Sequence, residues 1–145
     1  MKSFIGMILF SLIFLRCSFE QTSNHNRQLT MQDCYPFKIY DTELFVISAE
    51  IEGIELFDKY GSFFEEHNYS GNGYTWEGHI VQILEKEDPE LLNHIDFDPE
   101  AGGFFAYADS EENRNKFINV LAPIFKDLEK LEQFVASANR NRIDD

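Results

Sequence analysis

Three carboxylates spaced two residues apart, Asp96, Asp98 and Glu100, are the side chains of this sequence whose type and spacing most resemble a chemical site. Carboxylate oxygens at alternate positions could hold Ca²⁺, and a pair of carboxylates could act as general acid and base. An EF-hand calcium loop needs glycine at its sixth position and glutamate at its twelfth, where this chain has Ala101 and Tyr107. Neighbouring carboxylates in a turn are usually solvated, and no nucleophile or histidine pair accompanies these in the sequence. We therefore expect a protein that is not an enzyme and that uses no metal and no cofactor.

The same three acids end a longer acidic stretch between residues 85 and 100. This stretch has one lysine and seven acids, which are Glu85, Glu87, Asp88, Glu90, Asp96, Asp98 and Glu100. The whole chain has 12 basic and 26 acidic residues and a net charge of −14, which disfavours a nucleic acid partner because phosphates would be repelled. An acidic surface favours a basic protein partner, although it can also serve solubility alone. We predict that the seven acids form one partner-binding face, built from a helix end and a hairpin.

A second motif, SGNGYTWEGH at residues 70–79, joins two predicted helices. Residues that tolerate a positive φ angle occur together in it, at Gly71, Asn72 and Gly73. Thr75 is the predicted N-cap of the helix that follows, with Glu77 in its first turn. The motif has neither the third glycine of a dinucleotide fingerprint nor the Gly-Lys-Ser/Thr ending of a phosphate loop. We interpret it as a structural turn rather than a ligand site.

The aromatic residues of this motif, Tyr74 and Trp76, are predicted to anchor the turn. Trp76 is the only tryptophan of the chain, and it opens an apolar stripe at helical spacing. The preceding predicted helix has a stripe of its own, formed by Leu56, Phe57, Tyr60, Phe63 and Phe64. Because such stripes usually belong to a core, we expect the indole ring to pack against Phe57, Tyr60 and Phe64. A binding role for the edge of the indole ring is the alternative.

The elements that must position these motifs follow from the apolar pattern. Alternating apolar and polar residues predict two β-hairpins, formed by residues 37–40 with 45–51 and by residues 95–97 with 104–108. Apolar residues at helical spacing predict helices around residues 56–64, 75–86 and 111–135. Ser110 is the predicted cap of the last region, which we expect to break between Pro123 and Asp127. The prediction is an α+β fold: a single small domain with an antiparallel sheet of two hairpins packed against about four helices.

Residues 1–16 have the pattern of a signal peptide rather than of a folded element. Lys2 precedes an apolar run from Phe4 to Leu15, which is short for a membrane span. Cys17 follows directly, as the lipidated cysteine does in the bacterial lipoprotein signals that this segment resembles, although Arg16 stands where a small residue is usual. We predict an exported lipoprotein, anchored to a membrane and facing the periplasm or the outside. Ordinary secretion, a retained N-terminal anchor and a cytoplasmic location remain alternatives.

The rest of the chain is divided by composition. Residues 17–34 are polar and predict a tether, at whose end Cys34 is interpreted as a small apolar filler near the first strand. Residues 35–138 are the predicted folded domain. Residues 139–145 are predicted to be a frayed tail.

Several of these segments together resemble a known family. GNGYTWEGHIVQIL, then PELLNHIDFDPEAGGFFAYA, then a terminal helical pair with spaced leucines, are similar to the immunity protein 51 family of bacterial polymorphic toxin systems. The resemblance covers residues 35–138. It implies a small α+β protein that binds and neutralises a cognate toxin domain and has no activity of its own.

The sequence therefore predicts an immunity protein whose partner is a cognate, basic toxin protein. We expect no nucleic acid partner, and contact with a membrane only through a lipid or an N-terminal anchor. The alternative function is that of a non-enzymatic structural or interaction domain of a lipoprotein.

Overall fold

Residues 29–40 and 44–144 are described by a computed structural model of the chain. The strands are β1 (Lys38–Ile39), β2 (Val46–Ala49), β3 (Ile95–Phe97) and β4 (Phe104–Ala108). The α-helices are α1 (Met31–Cys34), α2 (Ile54–Leu56), α3 (Ser62–Glu66), α4 (Gly73–Glu87), α5 (Glu111–Lys126) and α6 (Leu128–Ser137). A π-helix covers Phe57–Gly61, and 3-10 helices cover Pro89–His94 and Arg140–Arg142.

This arrangement confirms the predicted α+β class and the antiparallel sheet of two hairpins. The number of α-helices in the described ranges is six rather than about four, because the predicted helix at residues 56–64 is divided and α1 is added. None of the described helices is long and apolar enough to cross a membrane.

The two hairpins lie side by side, in the strand order β1-β2-β4-β3. In the centre, β2 pairs antiparallel with β4, and Ile47 lies opposite Ala106. Both residues are fully buried and belong to the inner face of the sheet, which packs against the helices. Because side chains alternate along a strand, the residues between them lie on the opposite face, which we call the outer face. The pairing registers place eight residues there, Lys38, Tyr40, Val46, Ser48, Asp96, Asp98, Phe105 and Tyr107.

The core between the inner face and the helices is rich in aromatic rings. Phe104 of β4 stacks on Phe117 of α5, with ring centroids 6.2 Å apart. Phe37, just before β1, meets both rings and also Phe125 at 5.4 Å in edge-to-face geometry. Such contacts add to the free energy gained by burying the rings. The first hairpin is therefore fixed to α5 by side chains far apart in sequence.

The helical segment after β2 departs from its predicted stripe at Phe57. The hydrogen bonds of the π-helix that begins there join residues five rather than four positions apart. Phe57 is 61% exposed, whereas Tyr60 and Phe64 are buried. The prediction that Phe57 belongs to the core is therefore wrong. Neighbouring residues on a helix point about 100° apart, and apolarity alone does not show which neighbours of a buried residue also face the core.

The described chain begins with a capped helical turn inside the predicted tether. The N–H of Asp33 donates to Thr30 Oγ1 at 3.2 Å, and the N–H of Thr30 donates to Asp33 Oδ2 at 3.0 Å. Cys34 is buried near β1, and this burial raises the pKa of its thiol. The predicted tether is corrected at its C-terminal end, because α1 is part of the packed domain. The rest of the tether, the signal peptide and Cys17 lie outside the described residues.

The helices after β4 follow the prediction closely. The N–H of Asn113 donates to Ser110 Oγ at 3.2 Å, so Ser110 caps α5 as predicted. The helix continues through Pro123 and ends before Asp127. Asp127 Oδ1 accepts from the N–H of Glu129 at 3.2 Å and caps α6. The predicted break between Pro123 and Asp127 is confirmed, and it lies at Asp127.

Residues 139–144 pack on α4 and are not the frayed tail that the sequence predicts. The N–H of Asn139 donates to Gln82 Oε1 at 2.7 Å, and Gln82 Nε2 donates to the carbonyl of Asn139 at 3.2 Å. Ile143 is 8% exposed and lies directly over Gly78. The partners of the tail are far away in sequence, so its own polar composition gives no sign of this packing.

Candidate functional site

The Gly-Asn-Gly turn leads the chain from α3 into α4. Gly71 has a φ of +75°, a left-handed conformation that favours glycine. Asn72, and not Thr75, is the N-cap of α4, since its Oδ1 accepts from the N–H of Thr75 at 2.9 Å. The helix therefore begins at Gly73, and Glu77 lies beyond its first turn, which corrects both predictions. Asparagine is at least as favourable a cap as threonine, so residue type alone does not place the start of the helix at Thr75.

Gly73 is the residue at which α4 meets the β3–β4 hairpin. A Cβ atom at this position would overlap the carbonyl oxygens of Glu100 and Gly103. These two residues close the hairpin tip, where the N–H of Glu100 donates to the carbonyl of Gly103 at 2.9 Å. Glycine is required at position 73 by this close backbone approach rather than by a positive φ. Tyr74, the next residue, stays at the surface with 39% exposure.

Trp76 lies at the centre of the aromatic core, with no exposed surface. Its ring centroid is 4.9 Å from that of Tyr60 and 6.2 Å from that of Phe64, two of the three predicted contacts. In place of the third predicted neighbour, Phe57, the indole ring packs against Phe125 of α5, whose ring centroid is 4.9 Å away. The indole edge does not reach the surface in this structure, and the geometry of the turn is that of a structural junction.

The seven predicted partner-binding acids are exposed or partly exposed, and they lie in two groups. Four lie at the C-terminal end of α4 and just beyond it, namely Glu85, Glu87, Asp88 and Glu90. The other three lie on β3 and at the hairpin tip, namely Asp96, Asp98 and Glu100. The tip is fixed to the N-terminal end of α4, and the 15 residues of that helix span about 22 Å. Glu100 at the tip therefore lies near the opposite end of α4 from the first four acids, and the partner-binding face formed by all seven stays a prediction.

The carboxylate of Glu85 forms a salt bridge with another residue of the chain. Arg142 donates to both of its carboxylate oxygens, at 2.6 and 2.9 Å, and these hydrogen bonds lower the pKa of Glu85. A partner would have to compete with this bidentate pair for the carboxylate. No pattern in the sequence indicates this pair, because Arg142 belongs to the tail whose composition predicts fraying.

Asp96 lies beside a recess at the β3 edge of the sheet. It lies opposite Tyr107, and both side chains line a recess of about 290 Å³ together with His94 and Asp109. His94 Nδ1 and Asp109 Oδ2 are 2.7 Å apart, and Asn113 Nδ2 donates to Asp109 Oδ1 at 2.7 Å. The hydrogen bonds from Asn113 and His94 lower the pKa of Asp109 to about 2, so the Asp109 carboxylate stays ionised in mildly acidic solution. Sequence reasoning missed His94 and Asp109, which only the strand pairing brings together.

The carboxylates that could have suggested a calcium loop lie along an extended strand. The N–H of Asp98 donates to the carbonyl of Phe105 at 3.0 Å and continues the ladder, and Asp96 is part of β3. Extended backbone does not wrap around a cation as a calcium loop does. Within residues 29–40 and 44–144, no three His, Cys, Asp or Glu side chains are grouped so as to hold a metal ion.

Comparison with protein families adds an independent finding to this geometry. The model for immunity protein 51 matches residues 40–140, a range that includes strands β2 to β4 and helices α2 to α6. The chain belongs to the immunity protein 51 family. No curated protein and no solved structure matches it. Immunity proteins in general bind a cognate toxin, and such families are generally non-enzymatic.

Proposed function

We propose that this chain is an immunity protein that binds and neutralises a cognate bacterial toxin domain. The observation that carries the proposal is the family match over residues 40–140 of a 145-residue chain. The net charge of −14 supports a basic partner, because complementary potentials speed association and suppress wrong partners.

Binding alone is sufficient for neutralisation in this proposal, and the protein carries out no reaction. The acids on the β3–β4 hairpin are held by a strand ladder and by the contact of the hairpin tip with Gly73. A toxin would therefore meet a surface that is already ordered, and ordering would cost little of the binding free energy.

The proposal is tested by coexpression with the toxin domain encoded by the adjacent gene. Cells with the full chain should survive induction of the toxin, whereas cells with an empty vector should not. The double variant Asp98→Lys with Glu100→Lys should protect less well, because both substitutions place positive charge where a basic surface would approach. Wild-type chain that gives no protection in either its cytosolic or its exported form would contradict the proposal and favour a structural lipoprotein domain.

We further propose, from the sequence pattern alone, that the chain is exported and anchored through lipid on Cys17. Metabolic labelling with a palmitate analogue should label the wild type and not Cys17→Ala. Cys34→Ala is the matched control and should label as the wild type does, because Cys34 is buried. Equal labelling of wild type and Cys17→Ala, or a mature protein that keeps Met1, would contradict lipid anchoring and leave secretion or a cytoplasmic location.

A further inference from the structure

We propose that the outer face of the sheet is the surface on which the basic toxin domain docks. This inference rests on the proposed function and adds the place of contact. The proposal places the centre of the interface on the sheet rather than at the acids near the C-terminal end of α4.

The first argument is the composition of the outer face. Its two cross-strand rows contain three aromatic side chains, Tyr40, Phe105 and Tyr107. Tyr40 is 42% exposed, and the other two are partly exposed. The described helices pack on the inner face, so these rings face away from the core. Accessible tyrosine and phenylalanine are enriched at the centres of protein interfaces, where they supply most of the binding free energy.

The second argument is the charge around these rings. Asp96 and Asp98 lie on the outer face, at the ends of the two rows. Glu50 follows β2 on the same side, and its carboxylate accepts from Lys38 Nζ at 2.6 Å. Three acids therefore surround the aromatic side chains, and the lysine among them is paired with one of these acids. This charge complements a basic partner, and it opposes self-association through the same face because each copy would present the same acids.

The third argument is the shape of the surface at the two edges of the sheet. At the β3 edge, Asp96 and Tyr107 line the recess of about 290 Å³ described above. At the β1 edge, Lys38 and Glu50 line a second recess of about 310 Å³, whose rim includes the exposed apolar residue Ile54. Both recesses could receive side chains of a partner. The four strands of the sheet are together about 14 Å wide, and the two recesses extend the contact surface beyond this width.

The test measures binding of the full chain and its variants to the purified toxin domain encoded by the adjacent gene. Tyr107→Ala and Tyr40→Ala should each raise the Kd about tenfold or more, as expected for central interface residues. Asp96→Lys should lower the association rate constant about tenfold at low salt. Phe57→Ala and Glu66→Lys are the matched controls, because they remove an exposed ring and reverse an exposed acid on the helical side. We expect them to change the Kd by less than about threefold.

Circular dichroism and thermal unfolding verify that each variant is folded. Asp96→Lys keeps the proposal testable if Tyr107→Ala fails to fold, because the Asp96 side chain is exposed. If the wild type binds and the outer-face variants bind equally well, or if Glu66→Lys weakens binding as much as Asp96→Lys does, the docking surface is wrong while the immunity function stands. A wild type that does not bind overturns both. A dimer in sedimentation that Tyr107→Ala disrupts would make a second copy the occupant and also overturn the proposal.

Discussion

At the scale of single residues, two glycines of this chain have opposite roles. A Cβ at Gly73 would overlap the carbonyl oxygens of the hairpin tip, whereas a Cβ at Gly61 would meet its nearest atoms, on Phe57, at an ordinary 3.9 Å. We expect Gly73→Ala to lower the free energy of unfolding by about 1–3 kcal/mol, because the hairpin tip must move. Gly61→Ala should raise the free energy of unfolding by up to about 1 kcal/mol. Alanine fits the helical backbone at this position, and it lowers the conformational entropy of the unfolded chain. Urea unfolding of both variants measures the difference, and an equal effect at the two sites would contradict the contact at Gly73.

Trp76 is the second residue at which the structure allows a sharp prediction. Its indole ring is fully buried among Tyr60, Phe64 and Phe125. Trp76→Ala should lower the free energy of unfolding by about 3–5 kcal/mol, the usual cost of removing a large buried ring. Tyr74→Ala, two residues earlier and partly exposed, should cost less than about 1 kcal/mol. A Trp76→Ala protein that unfolds like the wild type but no longer binds the toxin would instead assign the ring to the interface.

At the scale of elements, α4 separates the acids near its C-terminal end from the tip of the β3–β4 hairpin. Its N-terminal end contacts the hairpin tip through Gly73, and the residues near its C-terminal end contact the tail through Gln82 and Glu85. Acids that are close in sequence around residues 85–100 are therefore distributed over the length of a helix. This separation is why the outer face, rather than the whole acidic stretch, is the more compact surface for a partner.

The contact between α4 and the tail leads to a prediction for Ile143. The side chain is buried over Gly78, so Ile143→Ala should lower the free energy of unfolding by about 2 kcal/mol and should expose the C-terminus to proteolysis. Asn141→Ala, an exposed position in the same 3-10 helix, is the control and should change stability by less than about 0.5 kcal/mol. Chemical unfolding measures the stability of both variants, and limited proteolysis measures the accessibility of the C-terminus. If Ile143→Ala behaves as Asn141→Ala does, the tail is frayed in solution after all.

At the scale of the whole molecule, the net charge of −14 sets how the protein would meet a basic partner. The association rate constant with the toxin domain should fall about tenfold or more from low salt to about 0.5 M salt, because salt screens the attraction between exposed charges. The dissociation rate constant should change much less. Asp98→Lys with Glu100→Lys should flatten the salt dependence and leave the melting temperature nearly unchanged, since both side chains are exposed. Stopped-flow association over a salt series measures these rates, and association that does not depend on salt would rule out electrostatic steering.

The sequence by itself determined the features that depend on local pattern. Alternation and turn residues were sufficient for both hairpins, and the α+β class followed from them together with the helical stripes. The serine cap at Ser110 and the break before Asp127 could be read in the same way, because caps and helix ends depend on a few neighbouring residues. The family resemblance also rested on short segments whose order and spacing are visible in the chain.

Only the tertiary structure decided which residues share a surface. The choice of Asn72 over Thr75 as cap, the exposure of Phe57 and the packing of Ile143 depend on what each residue meets across the fold, and no local pattern contains those partners. The same holds for the candidate site. Asp96 and Tyr107 are neighbours because β3 pairs with β4. The acids at residues 85–90 lie far from the hairpin tip because α4, which is about 22 Å long, lies between them. Strand pairing and helix length, rather than distance along the chain, determine which charges and rings a partner can touch together.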